Sequence, residues 1–211
     1  MLFDENDFEK RMRLLVDSAW HIFQRKIGNN LININKEASM QLHFAYILQA
    51  LVPLIIYENN EQIEIELEKT VKLNNGSTCE VDVFITGNKE KLTRKIAIEM
   101  KCYKEFASSG GKRGALDIFM KDVYSDIEVL EKYRSEQICN ESVFLALTDY
   151  QHIICPEKKT GKCWDYDISA NYKLTPKTIN IPIGGKEQSI KINGTYTFDW
   201  QQQGEFYFLE L

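Results

Sequence analysis

The chain has no apolar run of the ~20 residues that a membrane-spanning helix requires. Its longest candidate, Ala45 to Tyr57, is interrupted by Gln49 and Pro53. The basic start of a secretory leader is missing too: Met1-Leu-Phe-Asp-Glu-Asn-Asp is acidic, so export is not expected. A disulfide framework is not indicated either. The 5 cysteines (Cys79, Cys102, Cys139, Cys155 and Cys163) are odd in number and irregular in spacing, which points to free thiols in a reducing compartment. These absences together read as cytosolic, with no membrane partner. A basic excess is also lacking. A net charge of −5 counts against a broad nucleic-acid surface, but leaves room for a local basic patch around acidic ligands.

No repeat, low-complexity tract or linker divides the 211 residues, and 44% hydrophobic content is too high for a disordered chain. A single domain over 1–211 is expected. From Asn6 to Lys26 the apolar residues Phe8, Met12, Leu15, Ala19, Ile22 and Phe23 recur at helical steps, and Gly28-Asn29-Asn30 marks a stop. A second helix is expected from Lys36 to Leu51, with Met40, Phe44, Ile47, Leu48 and Leu51 as its buried stripe and Pro53 as its end.

The period then changes to two. Ile63, Ile65 and Leu67 alternate with Glu64, Glu66 and Glu68, the pattern of a half-buried strand. Asn74-Asn75-Gly76-Ser77 predicts a hairpin turn into a strand from Cys79 to Thr86. A polar loop over 87–93 should lead to a third strand over 95–103. The glycine-rich stretch 104–114 reads as a flexible loop, and a long helix is expected over 115–134. Ser142 to Thr148 is a nearly continuous apolar run, as in a strand buried on both faces. Residues 150–211 read as a β-rich C-terminal addition. The order predicts an α/β fold: a mixed sheet with helices packed on its faces.

Three residues stand out in these strands. Asp82 lies between Val81 and Val83, and Glu99 and Lys101 follow the apolar run Ile96-Ala-Ile. Alternation puts Glu99 and Lys101 on one face, and Asp82 joins them there if the two strands are neighbours. Two carboxylates with one ammonium suit Mg²⁺-assisted phosphoryl chemistry: hard oxygens hold the ion, and the lysine assists the attacking water. The plainer alternative is two ordinary strands whose acids pair with a lysine across the ladder. A second acid-x-Lys triplet, Glu157-Lys158-Lys159, sits in a Pro/Gly-flanked loop and reads as solvated surface.

Asp82, sixteen intervening residues, then Glu99-Met100-Lys101 on consecutive strands after a helix resembles the PD-(D/E)xK nuclease superfamily. Val81 stands where the family's name has proline. The resemblance covers about 36–148, and implies an αβββαβ restriction-endonuclease-like core with the 6–26 helix in front of it. It implies Asp82, Glu99 and the Met100 carbonyl as metal ligands, Lys101 at the nucleophilic water, and Mg²⁺, with Mn²⁺ able to substitute. It also implies a helix acid near the metal. Glu37 is the candidate, with Gln41 one turn later, although charge complementing the helix N-terminus is an equal reading. The expected activity is phosphodiester hydrolysis with DNA ahead of RNA as partner, and a homodimer stays open because related enzymes often pair to cut two strands. A catalytically silent nucleic-acid-binding or assembly module on this fold is the competing expectation.

Around this constellation, Lys104, Lys112 and Arg113, with Lys121, form a local basic patch suited to phosphates. A mobile surface loop explains the same residues. Glu66 and Glu80 are weaker candidates for outer positions at the metal. His43 reads as a packed or supporting histidine. His152, Cys155 and Cys163 suggest zinc but lack a fourth ligand.

Overall fold

The computed structural model describes residues 5–185 and 188–211, so the first four residues of the acidic start lie outside it. Helix α1 (Phe8–Gly28) begins at Asp7, whose side chain accepts a hydrogen bond from the Glu9 N–H. It buries Phe8, Met12, Leu15, Ala19 and Phe23 of the predicted stripe, leaves Ile22 only partly buried, and also buries Val16, Trp20 and Ile27, because α1 meets both a second helix and the sheet. Helix α2 (Glu37–Leu51) buries Met40, Phe44, Ile47 and Leu48 and gives way to a short 3₁₀ turn at Val52–Leu54, where Pro53 sits. No helix among the described residues is long and apolar enough to cross a membrane.

Strands β1 (Glu61–Lys72), β2 (Thr78–Lys89) and β3 (Leu92–Tyr103) form an antiparallel meander. Helix α3 (Leu116–Ser135) then crosses over to β4 (Glu141–Thr148), which pairs parallel to β3 with Glu99 opposite Phe144. A one-turn helix α4 (Gln151–Ile154) follows. Beyond it come β5 (Lys173–Leu174), β6 (Lys177–Ile179), β7 (Ile190–Ile192) and β8 (Tyr196–Thr197), then β9 (Gln201–Gln203) and β10 (Phe206–Glu210). The main sheet has six strands in the order β1-β2-β3-β4-β10-β9, and β5–β8 and β6–β7 form two small ladders.

Strand alternation sorts the core into two layers. Ile96, Ile98, Met100 and Cys102 join Val143, Leu145 and Leu147 under α1 and α2. Ala97, Phe144, Ala146 and Leu209 face α3 and the C-terminal segment, with Phe119, Val123, Ile127 and Trp200. Glu99 therefore lies on the α3 side, next to the small Ala97.

Three expectations need correction. Residues 87–93 are not a loop: β2 runs to Lys89 and β3 starts at Leu92, around a tight turn with Glu90 at φ 54°. Gly87 marks a close approach rather than a break, since a Cβ there would stand 2.1 Å from the Met12 sulfur of α1. The 104–114 stretch is not featureless. It folds into a small hairpin with a Phe106–Lys112 bridge, closed by Ala107 N–H to the Gly111 carbonyl (2.8 Å) and Arg113 N–H to the Glu105 carbonyl (2.7 Å). Leu67 is 43% exposed instead of half-buried, because β1 is the sheet edge.

Candidate active site

The site forms where β2 and β3 part. Their ladder runs as far as Val83–Ile98 and stops. On the other side of β2, Val83 pairs with Leu67 and Val81 with Lys69, but Asp82 has no ladder partner, and Glu68 opposite it has φ 51°. The pleat inverts there: Val81 packs on the α3 side and Val83 on the α1/α2 side. Freed from the ladder, the Asp82 carboxylate turns towards β3. Its Oδ2 accepts the Met100 N–H at 2.6 Å, replacing a main-chain partner, and its Oδ1 accepts Gln41 Nε2 of α2 at 2.5 Å.

Glu99 is 6% exposed and close enough to Asp82 to feel its charge, while Tyr133 Oη of α3 donates to its Oε1 at 3.2 Å. Burial, then the charges of Asp82 and Asp126, push the Glu99 carboxyl up to about 9, with Lys101 opposing. Lys101 Nζ lies 3.0 Å from Asp126 Oδ2, 3.3 Å from Glu37 Oε1 and 3.4 Å from the Met100 carbonyl. Burial alone would lower this ammonium, but Asp126, Glu37 and Asp82 outweigh it and hold the lysine above its ordinary value. Asp126 is raised to about 7, first by burial, with Lys101 opposing and Asp82 and Glu37 adding to the rise. The Asp126 Oδ2 ion pair with Lys101 lacks hydrogen-bond alignment, and that oxygen has no other polar partner among the described residues. Glu37 is raised as well: burial is the largest cause, Lys101 opposes it and Asp82 reinforces it.

Asp82, Glu99, Lys101, Met100 and Glu37 are thus brought together from β2, β3 and α2. The group has more carboxylates than one ammonium neutralises, and the buried Glu99 carboxyl is the one raised furthest. No group of three or more His, Cys, Asp or Glu side chains stands in metal-holding geometry among the described residues. A hard divalent ion needs less than that, since Mg²⁺ is commonly held by one or two carboxylates, water and substrate phosphate. Asp82, Glu99 and the Met100 carbonyl fit that oxygen-only donor set once Glu99 loses its proton.

The basic candidates divide. Arg113 lines a cleft of about 390 Å³ with Glu37, Lys101, Tyr103 and Asp122. Lys104 is committed elsewhere, to Asp149 at 2.7 Å and the Phe206 ring at 4.3 Å. Lys112 pairs with Glu105 at 3.4 Å, and Lys121 with its neighbour Asp122 at 2.5 Å. Glu66 pairs with Lys69, and Glu64 and Glu80 are exposed. His43 takes no part in the hydrogen bonds and ion pairs of the group. His152 packs against Tyr150 and Trp164, while Cys155 and Cys163 are free thiols. In the second acid-x-Lys triplet, Lys159 turns inward to Asp167 Oδ2 (2.5 Å) and Ser169 Oγ (2.9 Å). The larger cavity, about 700 Å³ between Glu131, Arg134 and Lys191, contains none of the clustered acids.

Asp126 and Tyr133 are the residues that sequence reasoning missed. A signal existed: Asp126 follows Phe119 by seven residues and Val123 by three, so it occupies the buried face of α3. Comparison with protein-family models, curated proteins and solved structures gives no match.

Proposed function

We propose that this protein is a divalent-metal-dependent nuclease of the PD-(D/E)xK, restriction-endonuclease-like type, hydrolysing phosphodiester bonds in DNA. The observation that carries the reading is the meeting of the Asp82 and Glu99 carboxylates beside Lys101 at the point where β2 leaves β3. Two strands paired only to stabilise each other would keep their ladder there and turn these acids to solvent. Here the ladder is given up and Glu99 is buried, which raises the cost of charging it. The order of α2, β1–β3, α3 and β4 supports the same reading.

In this proposal Asp82, Glu99 and the Met100 carbonyl would hold Mg²⁺, or Mn²⁺ in its place, which would supply charge neutralisation at the phosphate and a more acidic water. Lys101 points its ammonium past the Met100 carbonyl, a position from which it stabilises an attacking hydroxide. Glu37 and Asp126 hold that ammonium from two sides, and Gln41 and the Met100 N–H orient Asp82. Arg113, at the rim of the cleft, is placed to meet a phosphate.

The test is cleavage of labelled single-stranded and duplex DNA in Mg²⁺, Mn²⁺ or EDTA. Metal-dependent cleavage that disappears in Glu99→Gln supports the reading. Cleavage in EDTA, or wild-type rates in Glu99→Gln, overturns it. A non-cleaving nucleic-acid-binding or assembly module on the same fold is the second reading. DNA binding with no cleavage in any metal would select it.

A further inference from the structure

Behind the Arg113 rim lies a second pocket, of about 330 Å³, between the α1–α2 connection and the Glu105–Arg113 hairpin. One wall is extended chain. Ile34 is buried and Ile32 packs partly against the same core cluster, so the alternating Asn33 and Asn35 face outward. The opposite wall presents Phe106, 53% exposed on a hairpin whose backbone bonds fix it. Asn30, Ser108, Phe206 and Lys104 complete the lining, and none of the lining residues is acidic.

We propose that this pocket receives one unstacked nucleobase of the substrate strand, so that the enzyme acts on DNA with an unpaired base beside the scissile phosphate. The proposal rests on the nuclease reading and adds the substrate form. Carboxamides match the donor–acceptor edges of bases, and an exposed ring offers a stacking face that any base fits. The volume lies at the lower end of the roughly 300–1,000 Å³ typical of small-ligand pockets, which suits one base and not the edge of a duplex. Position supports it further. Arg113 donates to the Asn35 carbonyl at 3.3 Å while lining the Lys101 cleft, and Asn35 is two residues before Glu37. The pocket and the Lys101 cleft are therefore joined through the Arg113–Asn35 hydrogen bond, which sets a basic residue between them where a strand's phosphates would pass.

The test uses the full chain with Ca²⁺ in place of Mg²⁺, to read binding without cleavage. Three labelled DNAs of one sequence are compared by fluorescence anisotropy: single-stranded, blunt duplex, and duplex with one unpaired 2-aminopurine. The unpaired forms should bind more tightly than the blunt duplex, and 2-aminopurine fluorescence should be quenched by stacking on Phe106. Phe106→Ala should weaken binding of the unpaired forms about tenfold and remove the quenching, leaving the blunt duplex unchanged. Phe106→Trp should restore both. Phe106 is exposed, so its replacement spares the core. Equal wild-type affinity for all three DNAs, or unchanged binding by Phe106→Ala, overturns the pocket. If wild type still cleaves DNA with Mg²⁺ in that case, the pocket alone fails. If it neither binds nor cleaves any of the three, the nuclease reading fails with it.

Discussion

Burial beside Asp82 and Asp126 with a single ammonium favours the protonated form of Glu99. Its carboxyl is raised from 4.5 to about 9, first by burial and then by Asp82 and Asp126. A group that titrates higher in the fold than unfolded stabilises most below its unfolded value, and this contribution is lost as pH rises through the folded one. In EDTA, melting temperature should therefore fall between about pH 5 and 9, and Glu99→Gln, which keeps the neutral form, should flatten that fall. An unchanged pH profile in the variant would place the carboxyl charge outside the buried group. Asp82 and Lys101 act differently at the same scale. Asp82→Asn removes an anionic donor, so metal affinity and cleavage should fall together, and excess Mn²⁺ should restore part of the activity. Lys101→Ala removes a cation that repels a metal and contributes no ligand oxygen. Calorimetric titration should show divalent binding retained or tightened, while cleavage is abolished. Wild-type cleavage by Lys101→Ala would make the lysine structural and end the nuclease assignment.

Between elements, one buried ion pair fastens α1 to the sheet edge. Arg11 and Glu61 are 1% and 3% exposed; the guanidinium donates to Glu61 and to the Ile55 and Asn6 carbonyls, and Glu61 also accepts the Tyr57 N–H. Burial pushes the Glu61 carboxyl up, but the Tyr57 N–H, Arg11 and Lys89 outweigh it and hold it at about 2. Its stabilisation is thus present above pH 4.5 and lost as pH falls towards about 2. Glu61→Gln leaves a buried guanidinium uncompensated and should cost about 3–5 kcal/mol in urea unfolding, whereas Arg11→Met with Glu61→Leu should cost less. A double variant less stable than the single one would show that the pair contributes more than it costs to bury. This pair also marks the limit of sequence reading. The stripes of α1 and α2 were legible because Met12, Leu15, Phe44 and Leu48 follow the helical period, and Asp82, Glu99 and Lys101 because they interrupt apolar strands. Arg11 was not, since charges on amphipathic helices normally face water and only the tertiary partner reveals otherwise, and Asp126 showed only in its helical spacing from Phe119 and Val123. The Glu105–Arg113 hairpin escaped for another reason: its glycines and serines carry no period, and its closure depends on backbone bonds that any side chain permits. The joining of β10 to β4 is a long-range pairing with no local signature.

For the whole molecule, a net charge of −5 opposes approach to DNA, so the proposed association would depend on where the loosely held cations stand. Lys112 is 62% exposed in its side chain and holds Glu105 only at 3.4 Å, a surface pair weak enough to exchange for a phosphate. Arg113 keeps one bond to the Asn35 carbonyl and borders the Lys101 cleft. Both lie on the hairpin that carries Phe106, so in the proposed reading one element supplies the charged and the aromatic groups that would meet the strand. The two contributions separate by salt. Each phosphate left without its cation changes the slope of log affinity against log salt by about 0.9 for duplex DNA and about 0.7 for a single strand. Lys112→Ala with Arg113→Ala should flatten the slope for the single-stranded oligonucleotide by about one to two units and weaken binding most at low salt. Phe106→Ala should lower affinity at every salt concentration and leave the slope unchanged, because stacking releases no counterions. The measurement is anisotropy with Ca²⁺ over a range of salt concentrations, made on both variants and wild type. An unchanged slope in the double variant would assign Lys112 and Arg113 to holding the hairpin, and the strand's path past Lys101 would then have to run over another face.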